Sequence, residues 1–149
     1  MFEPLAIASL AILLPGVAGR ALRTAACIVL GISLVVFGID HFLSLAFIAG
    51  LIPGWIPWHA FWVAFFGVAF VVAGIGIAAN VLRGWSAAAI GLMFAIWVFT
   101  LHVPRTLGLY GVPGATADPN EWSSLFIAVA LWGGSWALAA TTEGQHGLE

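Results

Sequence analysis

Charge is what this chain has least of. Only 7% of its 149 residues are Asp, Glu, Lys or Arg, against about a quarter in an ordinary soluble domain. So few ionised groups cannot build a water-facing surface, and the outer face is expected to meet lipid. Lysine is absent, the four basic residues are arginines, and the formal net charge is −2. That balance excludes a nucleic-acid surface. Cys27 is the sole cysteine, so an intrachain disulfide and CxxC dithiol chemistry are both excluded. The length suits one compact unit with no second domain.

What fills the chain is apolar: 63% of residues are hydrophobic and the mean hydropathy is +1.14. Crossing a hydrocarbon core of about 30 Å takes roughly 20 apolar residues in helix. Four stretches qualify: about Ala21 to Ala49, Pro57 to Ala79, Trp85 to Val103, and Glu121 to Ala140. The expected fold is therefore all-α, a polytopic membrane four-helix bundle over residues 21–141. The first stretch is long enough to tilt or project beyond the lipid. Prolines and a glycine in Leu51–Pro57 end one helix and start the next. Asn80–Gly84 reads as a tight turn, and 104–119 as the one long loop.

Leu5–Leu14 is too short to span securely. Glu3, with no Lys or Arg beside it, argues against a signal peptide. Residues 1–20 are expected to form an extra short helix lying in or partly crossing the bilayer, and 142–149, with His146, a polar tail. Arg20, Arg23 and Arg83 fall on one side and Arg105 on the other. That bias places the Arg83 turn in the cytoplasm, and the 51–57 turn and 104–120 loop outside. Gly31 and Gly38, and likewise Gly67 and Gly74, are spaced a heptad apart, so each pair shares a helix face on which a neighbour can come close. Gly133, Gly134 and Ser135 offer span four the same. Trp55, Trp58, Trp62, Trp85 and Trp122 sit where interfacial anchors belong.

The scarce polar residues have informative addresses. Asp40 and His41 lie within span one, His59 opens span two, His102 closes span three just before Arg105, and Asn120–Glu121 opens span four. Alternating helix directions bring all of them to the outward side. A charge at the bilayer centre costs about 2.5–3.5 kcal/mol on insertion scales, so Asp40 calls for a partner, a proton or a wet cavity. Arg105 is its expected partner. The plainer alternative is a buried Asp40 that only fixes helix orientation. His41, His59 and His102 together would make a three-nitrogen set for a transition metal, and two of them could ligate a haem. No HxH, HxxxH or HExxH spacing supports this. Asp118-Pro119-Asn120-Glu121 reads as a capping box with proline at the first helical position, which by itself accounts for Glu121.

Several segments, in this order, resemble the DoxX and DoxX-like family of small bacterial membrane proteins. They are Phe37-Gly38-Ile39-Asp40-His41-Phe42, Ile52-Pro53-Gly54-Trp55-Ile56-Pro57-Trp58, Ala73-Gly74-Ile75-Gly76, His102-Val103-Pro104-Arg105 and Asn120-Glu121-Trp122-Ser123-Ser124. The resemblance covers about residues 21–140 and departs at the amino-terminal segment. It implies a four-helix bundle in the bacterial inner membrane, associated with membrane redox complexes and quinone-linked oxidation. The leading expectation is a redox accessory that binds a quinone or another small apolar ligand. Phe42, Trp58 and Trp62 would form its walls, His41, His59 or His102 would hydrogen-bond a carbonyl oxygen, Asp40 and Arg105 would tune or deliver the proton, and Glu121 would stand near. Two alternatives remain open: a metal or haem protein using the three histidines, and a non-catalytic subunit that docks a membrane or extracytoplasmic redox partner. An oligomer is compatible with each.

Overall fold

The computed structural model describes residues 3–109 and 118–146. The helices run α1 Glu3–Leu13, α2 Arg20–Leu43, α3 Leu45–Leu51, α4 His59–Ala78 and α5 Arg83–Trp97, followed by a π-helical turn Val98–His102, α6 Val103–Thr106 and α7 Pro119–His146. Among the described residues there is no strand. Four helical stretches are long and apolar enough to cross a membrane: Arg20–Leu43, His59–Ala78, Arg83–Thr106 and Pro119–Thr141.

The long helices close into a ring. α2 packs on α4, α4 on α5 and α5 on α7, and α1 lies between α2 and α7. Leu30 and Leu34 of α2, Phe70 and Ile77 of α4, Ile90 of α5 and Leu131 and Leu138 of α7 are buried at the centre. The α2–α4 contact depends on the predicted glycines. A Cβ at Gly31 would lie 2.5 Å from the Gly74 carbonyl oxygen, and one at Gly38 2.6 Å from that of Gly67. The two antiparallel helices thus meet backbone to backbone at two places. Gly134 does similar work for α1, since a Cβ there would sit 2.7 Å from Leu10 Cδ1, whereas Gly133 faces open space.

Two expected helix limits, those of the first and third stretches, need correction, and both ends of the chain gain detail. The amino-terminal helix is a packed member of the ring, with Ala6, Ser9, Leu10 and Leu13 all buried. Its 11 residues span about 16 Å at 1.5 Å per residue. The first long stretch is not one helix to Ala49, because it breaks at Ser44 (φ −110°, ψ 24°). Its excess length folds back as α3 against α4 instead of projecting. The third stretch runs on past Val103 through a π turn, for which Pro104 supplies the reason. Proline has no N–H for the Thr100 carbonyl and its ring crowds that oxygen. One extra residue in the turn relieves the crowding, and Val103 N–H donates to Val98 O, five residues back. Finally, α7 continues through His146, so residues 142–146 of the expected polar tail are helical. Residues 110–117, the middle of the predicted outer loop, lie outside the described residues, as do 147–149.

The tight turn after α4 closes as a Schellman motif. Val81 N–H donates to Gly76 O at 2.9 Å and Asn80 N–H to Ile77 O at 3.2 Å, with Asn80 left-handed at φ 58°. Leu82, two residues on, is also left-handed (φ 54°) and exposed. A branched apolar side chain gains nothing there and carries about 1–2 kcal/mol of backbone strain. Leu82→Asn is expected to stabilise the fold by about 1 kcal/mol, seen as a rise in melting temperature in detergent. An unchanged or lower value would show that the strain is absent.

Candidate functional site

Phe37 and His41 stand one turn apart near the end of α2. The His41 imidazole turns back on its own helix, where Nδ1 lies 2.7 Å from the Phe37 carbonyl oxygen. A carbonyl can only accept, so Nδ1 carries the proton and donates. In the neutral ring Nε2 is then left as an acceptor. The ring also packs against Phe70 of α4, centroids 5.1 Å apart, and Phe70 in turn meets Phe37 at 6.1 Å and Phe94 of α5 at 5.6 Å.

These side chains wall a cavity of about 300 Å³. α2 contributes Phe37, Asp40 and His41; α4 and α5 contribute Phe70 and Phe94; the π turn contributes His102. α7 closes the opposite wall with Ser124, Ile127, Ala128 and Leu131, and Glu3 of α1 and Ile48 of α3 complete it. A second cavity of about 160 Å³ shares His41, Ile48, Phe70, Phe94 and His102 with the first and extends toward Phe66, Trp97 and Leu101. Both histidines therefore border both spaces. π turns recur at functional positions because the extra residue re-aims the side chains around it, and here the turn ends on His102.

Beside His102 stands the best-defined polar contact of this end. Arg105 Nε donates to Glu121 Oε2 at 3.2 Å, and its Nη2 donates to Glu121 Oε1. The two side chains are 17% and 15% exposed, so this bidentate pair is largely out of solvent. Thr106 Oγ1 donates to His102 O at 2.7 Å and reaches Glu121 O at 3.5 Å, tying the end of the π segment to the first turn of α7.

Three expectations about partners change accordingly. Arg105 pairs with Glu121 and not with Asp40, which lines the cavity with a largely exposed side chain. The Asp118 cap is present, its Oδ1 accepting Asn120 N–H at 2.8 Å, but the Glu121 carboxylate turns to Arg105 instead of completing a capping box. His59 does not join the other histidines. It opens α4, half-buried, and borders neither cavity. Among the described residues no group of three His, Cys, Asp or Glu side chains is placed to hold a metal ion.

The aromatic walls also differ from expectation. Trp58 is 77% exposed and holds a left-handed backbone before α4. Trp62 donates Nε1–H to Pro57 O at 3.1 Å and stacks on Phe66, and Phe42 covers Gly67. None of the three lines either cavity. Phe37, Phe70 and Phe94 do so instead. Spacing could have found two of the missed residues, since Phe37 is four before His41 and Ser124 three after Glu121, each on the same helix face. Glu3 carried a related signal, an acid at the first residue of an apolar helix.

Fold and cavity define an all-helical protein with four long apolar helices around one aromatic-walled, polar-tipped space. Residues 30–139 match the family described as a domain of unknown function, DUF8561, and the chain belongs to that family. No curated protein and no solved structure matches it. The family match overturns the DoxX resemblance, because nothing indicates that family. The motifs that carried it have other physical causes. Gly38 and Gly74 admit a neighbouring backbone, and the Pro–Gly–Trp turn follows from joining two apolar helices.

Proposed function

We propose that this is a multi-pass membrane protein that holds a small, mostly apolar, single-ring molecule of the aromatic or quinonoid class in the larger cavity. The observation that carries the reading is the meeting of His41 and His102, from helices distant in the chain, on one phenylalanine-walled space of about 300 Å³. Ligand sites are typically apolar concavities of about 300–1,000 Å³ with a few convergent polar groups. Intramembrane ionisable residues are functional by default, and Asp40 is one of them under this reading. Composition supports the membrane setting, because the flanks of the four long helices carry Ile32, Phe65, Val72, Phe99 and Phe126 to the outside. Arg20, Arg23 and Arg83 at one end favour that end as cytoplasmic, with the cavity toward the other. The electron-transfer role came only with the overturned resemblance and is not carried forward.

Titration of the detergent-purified protein with tetramethylbenzoquinone, in oxidised and reduced forms, tests the reading through quenching of tryptophan fluorescence; Trp97 borders the adjoining space. Saturable quenching is expected, weakened about ten-fold by His41→Ala or His102→Ala, on the scale of one lost buried hydrogen bond. His59→Ala should leave it unchanged. Quenching that rises linearly with both forms, as for partition into detergent, would remove the proposal.

A further inference from the structure

The hydrogen-bonding character of the cavity is lopsided. His41 has committed its Nδ1–H to Phe37 O at 2.7 Å, so the nitrogen left for a ligand is Nε2, an acceptor in the neutral ring. Asp40, beside it on the wall, is an acceptor when ionised. Glu3 is a second carboxylate on the wall, and among the described residues no lysine or arginine side chain lines the cavity. There is no lysine in the chain, and Arg105 is held by Glu121. Among the described lining residues, Ser124 and His102 can turn or change tautomer to donate. A ligand that offers only carbonyl oxygens would leave the half-buried His41 Nε2 and the neighbouring Asp40 carboxylate without a matching donor. A ligand that brings its own O–H groups satisfies them.

From this we infer that the cavity selects the hydroxyl-bearing, reduced form of a ring compound, a hydroquinone or phenol, over the carbonyl-bearing oxidised form. The inference rests on the ligand-site reading above and narrows it to one side of a matched chemical pair. It also reverses the expected role of His41, whose Nε2 accepts a hydrogen bond from the ligand's hydroxyl instead of donating one to a carbonyl. The three phenylalanine walls do not distinguish the two forms, which share one carbon skeleton. The polar tip does.

The test is anaerobic calorimetric titration of the wild-type protein, near neutral pH, with tetramethylhydroquinone and separately with tetramethylbenzoquinone. Ring positions blocked by methyl groups prevent addition to Cys27. The hydroquinone is expected to bind about ten-fold tighter, the scale set by one unmatched buried acceptor. In His41→Gln, whose amide can turn to donate or accept, the ratio should fall toward one while binding persists. Equal affinities in the wild type, or preference for the quinone, would overturn this inference and leave the ligand site standing. Binding of neither form overturns both. The wild-type comparison decides the matter even where the variant folds poorly.

Discussion

Replacing Gly74 with valine should leave almost no folded protein, and Gly31→Ala should already be costly. A Cβ at position 31 would lie 2.5 Å from Gly74 O and 2.6 Å from Ala78 Cβ, and one at position 74 would lie 2.6 Å from Gly31 O. The obstacles are backbone and a neighbouring Cβ, so no side-chain rotation relieves them and α2 and α4 must move apart. Over-packing costs about 1–3 kcal/mol where side chains can adjust; here Ala should reach about 2 kcal/mol and Val exceed the upper end of that range. Against a total stability of only about 5–15 kcal/mol, Val at 74 is expected to give aggregated material on size exclusion. Gly133→Ala is the control. Nothing lies within 4 Å of its added carbon, and alanine should stabilise α7 by about 1 kcal/mol through helix propensity. If Gly31→Ala melts with the wild type while Gly133→Ala behaves as expected, the close α2–α4 approach does not exist.

That crossing is also the part of the packing most legible in the sequence. A heptad step returns to nearly the same face of a helix, drifting only about 20°, so Gly31 with Gly38 and Gly67 with Gly74 mark two matching stripes before any partner is known. Helix existence was equally legible, because hydropathy reports burial whether the apolar neighbour is lipid or protein. The breaks were less so. Nothing local announces the interruption at Ser44, where Ser44 N–H still donates to Asp40 O at 2.9 Å and Ile48 N–H to Ser44 O at 2.9 Å. The place of α1 depends on a partner surface, the gap between α2 and α7 and the room above Gly134. Neither is written in residues 3–13.

At the site, depth was readable and azimuth was not. Counting residues from helix ends brought Asp40, His41, His102, Arg105 and Glu121 to one end of the molecule. A helix also turns about 100° per residue, however, and which residues face one another depends on that rotation. His41 and His102 face the same cavity, whereas Trp58 and Trp62, at similar depth, line neither of the two. The π turn adds a residue just before Arg105 and rotates it relative to an uninterrupted helix. Its guanidinium meets α7 and not α2. Motif likeness failed for a related reason: short glycine, proline and tryptophan patterns record what apolar helices need for packing, which unrelated families share.

Glu121→Gln should destabilise the protein by about 3 kcal/mol, near the lower end of what is lost when one member of a buried ion pair is removed. The Arg105 guanidinium would keep its charge at a position only 17% exposed with a neutral amide opposite, where two oxygens had received its two donors. Loss should begin at the α6–α7 junction. There Thr106 Oγ1 bridges His102 O and Glu121 O, so the variant should also loosen His102 and weaken cavity binding without touching the ligand. Arg105→Gln should cost a similar amount by stranding the carboxylate. The double variant Arg105→Gln/Glu121→Gln should recover at least half of either loss, because two amides can bond to each other and no charge is left without a partner. Thermal melts of the four proteins in one detergent decide it. Additive losses in the double variant would mean that Arg105 and Glu121 act separately, and that the pair does not hold the cavity end together.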